Sequence, residues 1–326
     1  MARHRNSRSK NFGLGNNAEY ATKVALRAHF GEGHYQTVKT HIERSRLFYD
    51  WLHEEHQVRD IRELTNSLFS EYALYLKTLL DEEEISVATA TNRISSINVV
   101  LQIMREDQKV RIDNISDVLG EKRCYIRRSI PDGMDSLQVQ ELHKKLISTG
   151  FTRSAAIVVL ARSTGMRLRE CILADLPRLT RESVTGRINI QDGCKGGRSG
   201  AFAPRWISVT DEIIYALDYA RQVSPAGSRN LLAPDETYIK FIRREVNPSR
   251  PLMKLHSVKG FHELRAAFAC DRYKELVGIP APVFPRPEKT DSQDQETVRA
   301  ARQIISRELG HERLEVTNAY VGSERR

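Results

Sequence analysis

The sequence has little that would cross-link it covalently or carry it into a bilayer. Of its 326 residues only 4 are cysteine, Cys124, Cys171, Cys194 and Cys270, and no two form a C-x-x-C pair. This excludes a disulfide framework and leaves no zinc-finger spacing. No stretch approaches the roughly 18 consecutive apolar residues of a membrane span. The opening residues, MARHRNSRSKNFGLGN, are basic but lack the apolar segment of a secretion signal. The expected location is the cytoplasm, with no membrane partner. Aromatic residues are few, at 7%, whereas apolar residues make up 40% and charged residues 29%, the profile of a globular chain and not of a disordered one. A chain of this length can bury two separate cores.

Acidic residues are outnumbered, 42 against 51 lysines and arginines, giving a formal charge of +9 and a pI near 9.4. Such a balance favours a polyanionic partner. Arg3, Arg5, Arg8 and Lys10 make an acid-free leader over residues 1–17. A second basic patch, EKRCYIRRSIPDG at 121–133, contains Arg123, Arg127 and Arg128 and ends in proline and glycine. It reads as an interdomain linker able to lie against phosphates, with a merely solvated loop as the competing reading.

Between these segments, residues 18–120 carry helical periodicity. Val38, Ile42, Ser45, Tyr49 and Leu52 form one stripe, Leu68, Tyr72, Leu76 and Leu79 a second, and Ile94, Ile97, Leu101 and Met104 a third. The other face of the third helix offers Thr89, Thr91, Asn92, Arg93 and Ser96, donors suited to DNA backbone and base edges. From 134 onward the pattern changes. RSAAIVVLARSTG is apolar nearly all round, as expected of a central helix stopped at Gly165, and RINIQDGCKGGRSGAFAPRWISV shows β-like runs at 187–191 and 205–209 around a basic, glycine-rich tip. The expected fold is mainly α with a small β-sheet: a helical domain at 18–120, a linker at 121–133, and an α+β domain at 134–326.

Four features of this last domain carry chemistry. Arg167 and Glu170 lie in STGMRLREC, just after a helix-ending glycine, where an arginine can present its fork to a phosphate. A surface ion pair between the two is the competing explanation. His262 and Arg265, in HELR, share a helical face. Lys195 lies in the hairpin tip, with Arg198 beside it. His311 and Tyr320 lie nine positions apart in LGHERLEVTNAYV, so on a straight helix they would point in opposite directions, and convergence requires a break between them. Together these residues can cleave a phosphodiester without metal or cofactor. Arg167 and Arg265 would hold the non-bridging oxygens, where extra charge develops. His262 and His311 would add hydrogen bonds or move the tyrosine proton. Tyr320 would be the nucleophile, and Lys195 or Arg198 would protonate the departing 5′ oxygen.

These residues resemble the tyrosine site-specific recombinases, or phage-type integrases. TGMRLRE, HELR and LGHERLEVTNAYV match that family's boxes in order, CKGGRSG resembles its catalytic hairpin, and SVATATNRISSINVVLQIM is similar to the last helix of its SAM-like DNA-grip domain. The resemblance implies catalytic Arg167, Lys195, His262, Arg265, His311 and Tyr320, with Glu170 in support. It further implies a two-domain clamp on duplex DNA and four protomers on two sites, with free protein a monomer or weak dimer. Strand exchange would pass through a Holliday junction, with an accessory DNA-bending protein among the candidate partners and the nucleoid as the place of action. Integration or excision of a mobile element, resolution, inversion, and a non-catalytic regulator on the same scaffold all stay open. Two departures stand out. Arg265 and His311 are 46 positions apart, wider than the family's usual spacing, and the excess is placed in a surface insertion at 280–298. Only six residues follow Tyr320, where many members have a longer docking tail.

Overall fold

The structure is a computed structural model that describes residues 9–194, 200, 203–285, 294–311 and 313–323. The chain divides into two compact units between Cys124 and Tyr125. In the first, α1 (Ala18–Phe30), α2 (Tyr35–His56), α3 (Asn66–Asp81), α4 (Val87–Arg105) and the short α5 (Ile115–Leu119) enclose a core built from Leu26, Phe48, Phe69, Tyr72, Ile94 and Leu101. Three of these helices start where a polar side chain accepts a backbone N–H that has no partner within the helix: Asn17 from Tyr20, Thr65 from Leu68, and Ser86 from Thr89.

The leader departs from the sequence reading. Phe12 and Leu14 are buried, and Asn11 takes a left-handed conformation with φ 47°. Asn11 donates its backbone N–H to Asp60 Oδ1 at 3.0 Å, and its side-chain oxygen accepts from Ile61 N–H at 3.0 Å. The charges at 3–10 hid two apolar anchors, and residues 9–17 belong to the first unit and not to a separate leader.

The second unit surrounds α7 (Thr152–Thr164), which is apolar on nearly every side because helices cover it all round. It is joined by α6 (Ser136–Ser148), α8 (Leu168–Leu173), α9 (Leu176–Ser183), α10 (Asp211–Val223) and α13 (Phe261–Val277). Between α10 and α13, α11 (Tyr238–Phe241) runs through a π-helical turn into α12 (Asn247–Leu255). Pro248 explains the turn, because its ring and missing N–H disrupt ordinary α-helical bonding there. Strands β1 (Arg187–Asn189) and β2 (Trp206–Ser208) form an antiparallel pair with Ile188 opposite Ile207. The chain ends with α14 (Gln295–Glu308) and the short α15 (Asn318–Val321). This is the expected mainly helical fold with a small sheet. No helix among the described residues is long and apolar enough to cross a membrane.

Two boundaries move. Residues from Arg127 pack on the second unit: the Arg127 guanidinium pairs with Glu263, its N–H donates to Asn318 O at 2.9 Å, and Arg162 Nε donates to Gly133 O at 2.8 Å. The supposed insertion at 280–298 is also structural at both ends. Ala281 is buried, Val283 N–H donates to Val321 O at 3.0 Å, and Val298 lies on the buried face of α14.

Candidate active site

Gly165 ends α7 in the left-handed region, φ 65°, and a Cβ there would lie 2.5 Å from Phe268 Cδ1 and 3.0 Å from Leu309 Cδ2. Backbone and space both require glycine. The turn puts Arg167 at the cap of α8, where the Glu170 carboxylate accepts its backbone N–H at 2.7 Å and its Nη1 at 2.8 Å. The ion pair weighed from the sequence is therefore present, but it is not a surface pair: Glu170 is wholly buried, Arg205 Nη1 donates to it at 2.6 Å, and Arg265 Nη1 lies 3.9 Å away. Burial alone would raise the Glu170 pKa. The Arg205 charge, the Arg167 N–H and the Arg265 charge outweigh it and hold the carboxyl at about 2.

Arg265, on the first turns of α13, is 1% exposed. Its Nη1 donates to Gly165 O and its Nη2 to Leu309 O, so two chain turns fix its plane. Its Nε donates to the Tyr320 hydroxyl at 3.3 Å, and burial first of all lowers its pKa to about 10. His311 Nε2 faces Arg265 Nη2 at 3.2 Å, Arg167 Nη2 at 3.3 Å and the Tyr320 hydroxyl at 3.2 Å. A guanidinium can only donate, so Nε2 must be the unprotonated nitrogen, with the ring proton on Nδ1. Burial, followed by the charges of Arg265, Arg167 and Arg205, lowers the His311 pKa to about 3, and the ring is neutral at pH 7.

The expected break between His311 and Tyr320 is present. α14 stops at Glu308, Gly310 turns left-handed with φ 64°, and a 3-10 turn at Leu314–Thr317 leads into α15. Tyr320 is 4% exposed, with its ring in the second core and its hydroxyl at the Arg265 and His311 nitrogens. The Arg265 guanidinium lies 5.3 Å from the ring centre. His262, exposed to solvent on one side, brings its ring to 5.2 Å from that of Tyr320, and its pKa is lowered by partial desolvation and then by Arg265.

The structure thus gathers Arg167, Glu170, His262, Arg265, His311 and Tyr320 into one cluster. Lys195 and Arg198 lie outside the described residues. In the first unit, Thr91, Asn92 and Arg93 are half-buried on α4, Thr89 bonds Ser86 at its cap, and Arg123 donates to Asn92 Oδ1 at 3.1 Å. Ser96 differs from the sequence reading: it is 1% exposed and accepts from Arg44 Nη1 at 3.1 Å, facing inward beside Ile97. Arg128 is exposed, whereas the Arg127 side chain is held by Glu263 and by Ser129 O. Two buried arginines that the sequence reading missed brace the cluster. Arg205 bonds Glu170, and Arg302 donates to Thr317 Oγ1 at 3.1 Å, Asn318 Oδ1 at 2.7 Å and Gly322 O at 3.0 Å, fixing the segment that bears Tyr320.

No protein-family model and no curated protein matches the sequence. Solved structures do. Residues 82–397 of the Tn1549 transposon integrase, in complex with circular intermediate DNA, superpose with a TM-score of 0.57 at 16% identity, over 93% of this chain and 95% of that one. A lambda integrase tetramer bound to a Holliday junction gives 0.54 at 13% identity, over 94% and 76%. The chain has the fold of the tyrosine recombinases. Within this integrase fold, α8, α13 and the break after α14 supply the polar cluster, while the β1–β2 hairpin carries the segment that contains Lys195.

Proposed function

We propose that this protein is a site-specific DNA recombinase that cleaves and rejoins duplex DNA through a 3′-phosphotyrosine intermediate, serving integration or excision of a mobile element. The observation that carries the reading is the Tyr320 hydroxyl held at 3.2 Å from His311 Nε2 and 3.3 Å from Arg265 Nε, with Arg167 on the same histidine nitrogen. In the proposed step the phenolic oxygen forms a bond to phosphorus, the phosphorus–O5′ bond breaks, and the 5′ oxygen takes a proton from Lys195. The Tyr320 proton passes to His311. At a pKa of about 3 that imidazole is a weak base in the resting protein. A phosphodiester bound between Arg167 and Arg265 would offset the charges that depress it, so substrate binding itself makes His311 a better acceptor. The first unit, through Cys124, serves as the DNA-gripping domain and the second, from Tyr125, as the catalytic one. Four protomers act on two sites and exchange strands through a Holliday junction, as the lambda integrase tetramer's bound junction illustrates for that protein.

The test is a nicked duplex carrying the sequence that the purified protein enriches from a random library, resolved on a denaturing gel. Wild type should form a protein–DNA adduct, Tyr320→Phe should form none while still binding DNA, and EDTA should leave the yield unchanged. Specific DNA binding without any wild-type adduct would instead identify a regulator built on the same fold.

A further inference from the structure

Arg205 immediately precedes β2 and is 3% exposed, although neither a nucleophile nor a phosphate needs to reach it. Its backbone belongs to the hairpin: its N–H donates to Asn189 Oδ1 at 2.9 Å, and its carbonyl accepts from Ile190 N–H at 3.0 Å. Its side chain crosses into the cluster and joins three separate segments. Nη1 donates to Glu170 Oε2 at 2.6 Å, Nη2 to Gly165 O at 3.2 Å, and Nε to Glu308 O at 2.7 Å. The fit is close at the fourth point of contact, where a Cβ on Gly310 would come within 3.1 Å of Arg205 Cδ. Gly165 and Glu170 flank Arg167, whereas Glu308 and Gly310 flank the turn that aims His311.

The charges explain why this position carries arginine and not an apolar residue. Glu170 is the carboxylate the structure places among the Arg167, Arg205 and Arg265 guanidinium groups. Because Arg205 takes Oε2 directly, Glu170 stays 3.9 Å from Arg265. Three cations against one anion leave an excess positive charge that suits the doubly negative transition state of a phosphodiester attacked by oxygen. An apolar residue at 205 would let Glu170 draw on Arg265 and would leave the carbonyls of Gly165 and Glu308 without this donor.

We infer that Arg205 is a positioning residue for strand cleavage, locking the Arg167 turn and the His311 turn to the hairpin that carries Lys195 and keeping Glu170 from neutralising Arg265. This rests on the recombinase reading above. The groups facing His311 are Arg167, Arg205, Arg265, Glu170 and Tyr320, and Arg205 is among the cations that depress its pKa. Loss of the Arg205 charge should therefore raise that pKa.

The experiment compares wild type, Arg205→Met and Arg205→Lys on the nicked duplex enriched from random DNA, using the full-length protein. DNA affinity, the first-order rate of adduct formation at saturating DNA, and the pH dependence of that rate are measured for each. In Arg205→Met, affinity should stay within about twofold, while the adduct rate falls on the order of 10- to 100-fold, by analogy with the loss of hydrogen-bond partners that orient metal ligands. The acid limb of its pH profile should move to higher pH. Arg205→Lys keeps the charge but cannot reach three acceptors at once, so its rate should fall while its acid limb stays in place. A wild-type rate in either folded variant overturns the inference, and so does a parallel loss of DNA affinity and rate. If Arg205→Met fails to fold, the lysine variant alone decides. No adduct from wild type would defeat the recombinase reading itself, an outcome distinct from all of these.

Discussion

Replacing Glu170 by glutamine tests the buried charge cluster directly. Glu170 is wholly enclosed and meets Arg205 at 2.6 Å and Arg167 at 2.8 Å, with Arg265 at 3.9 Å. Its pKa is about 2 in the folded protein against 4.5 for an ordinary glutamate. At about 1.4 kcal/mol for each tenfold change in proton affinity, the carboxylate contributes about 3 kcal/mol to stability. Because the folded pKa is the lower one, that contribution is complete above pH 4.5 and is lost as pH falls toward 2. Removing one partner of a buried ion pair costs about 3–5 kcal/mol by general experience, in the same range. Glu170→Gln should therefore lower stability at pH 7 by about 3 kcal/mol, and the gap from wild type should shrink to roughly half by pH 3, where wild type has itself lost much of the benefit. Of the two tryptophans, Trp51 lies in the first unit and Trp206 in the second. Urea unfolding followed by Trp206 fluorescence in a Trp51→Phe background reports on the unit concerned. A gap that stays constant from pH 7 to pH 3 would show that packing, and not charge, sets the loss, and the electrostatic account of the cluster would fall.

Arg302→Met should free the segment around Tyr320, because Thr317, Asn318 and Gly322 lose a buried donor; a loss of about 2–4 kcal/mol is expected, with faster amide hydrogen exchange confined first to 314–323. Arg127→Met should destabilise the second unit by about 1–3 kcal/mol through Glu263, yet leave the salt dependence of DNA binding unchanged. A direct phosphate contact would instead lower the slope of log affinity against log salt by about 1.

Much of this architecture was legible in the sequence wherever one physical signal acted locally. The stripe at Ile94, Ile97, Leu101 and Met104 is wholly buried, and α7 is central because it is apolar on every side. The nine-residue interval between His311 and Tyr320 demanded a break, and Gly310 with the following 3-10 turn provides it. Errors arose where charge and burial coincide. Counting basic residues made 1–17 a separate leader, although Asn11, Phe12 and Leu14 are buried and Asn11 bonds Asp60, and it gave no sign that within 121–133, where the two units divide, Arg127 pairs with Glu263. The polar face assigned to α4 had the same weakness, since Ser96 is small enough to be enclosed and finds Arg44 52 residues away.

Arg205 and Arg302 show that such residues leave a trace when periodicity is applied to charged side chains as well as to apolar ones. Arg205 precedes Ile207 by two, so in a strand both face the same way, and Ile207 is buried opposite Ile188. Arg302 falls on the stripe of Val298, Ala301 and Ile305 in α14. A charge that lands on the apolar side of its element must find a partner inside the protein or shift its ionisation. In this chain both arginines find carboxylates, carbonyls or hydroxyls on the turns that present Arg167, His311 and Tyr320. The cluster's geometry therefore depends on buried cations, and a reading confined to solvent-facing charge could name Arg167, His311 and Tyr320 but not the residues that hold them in place.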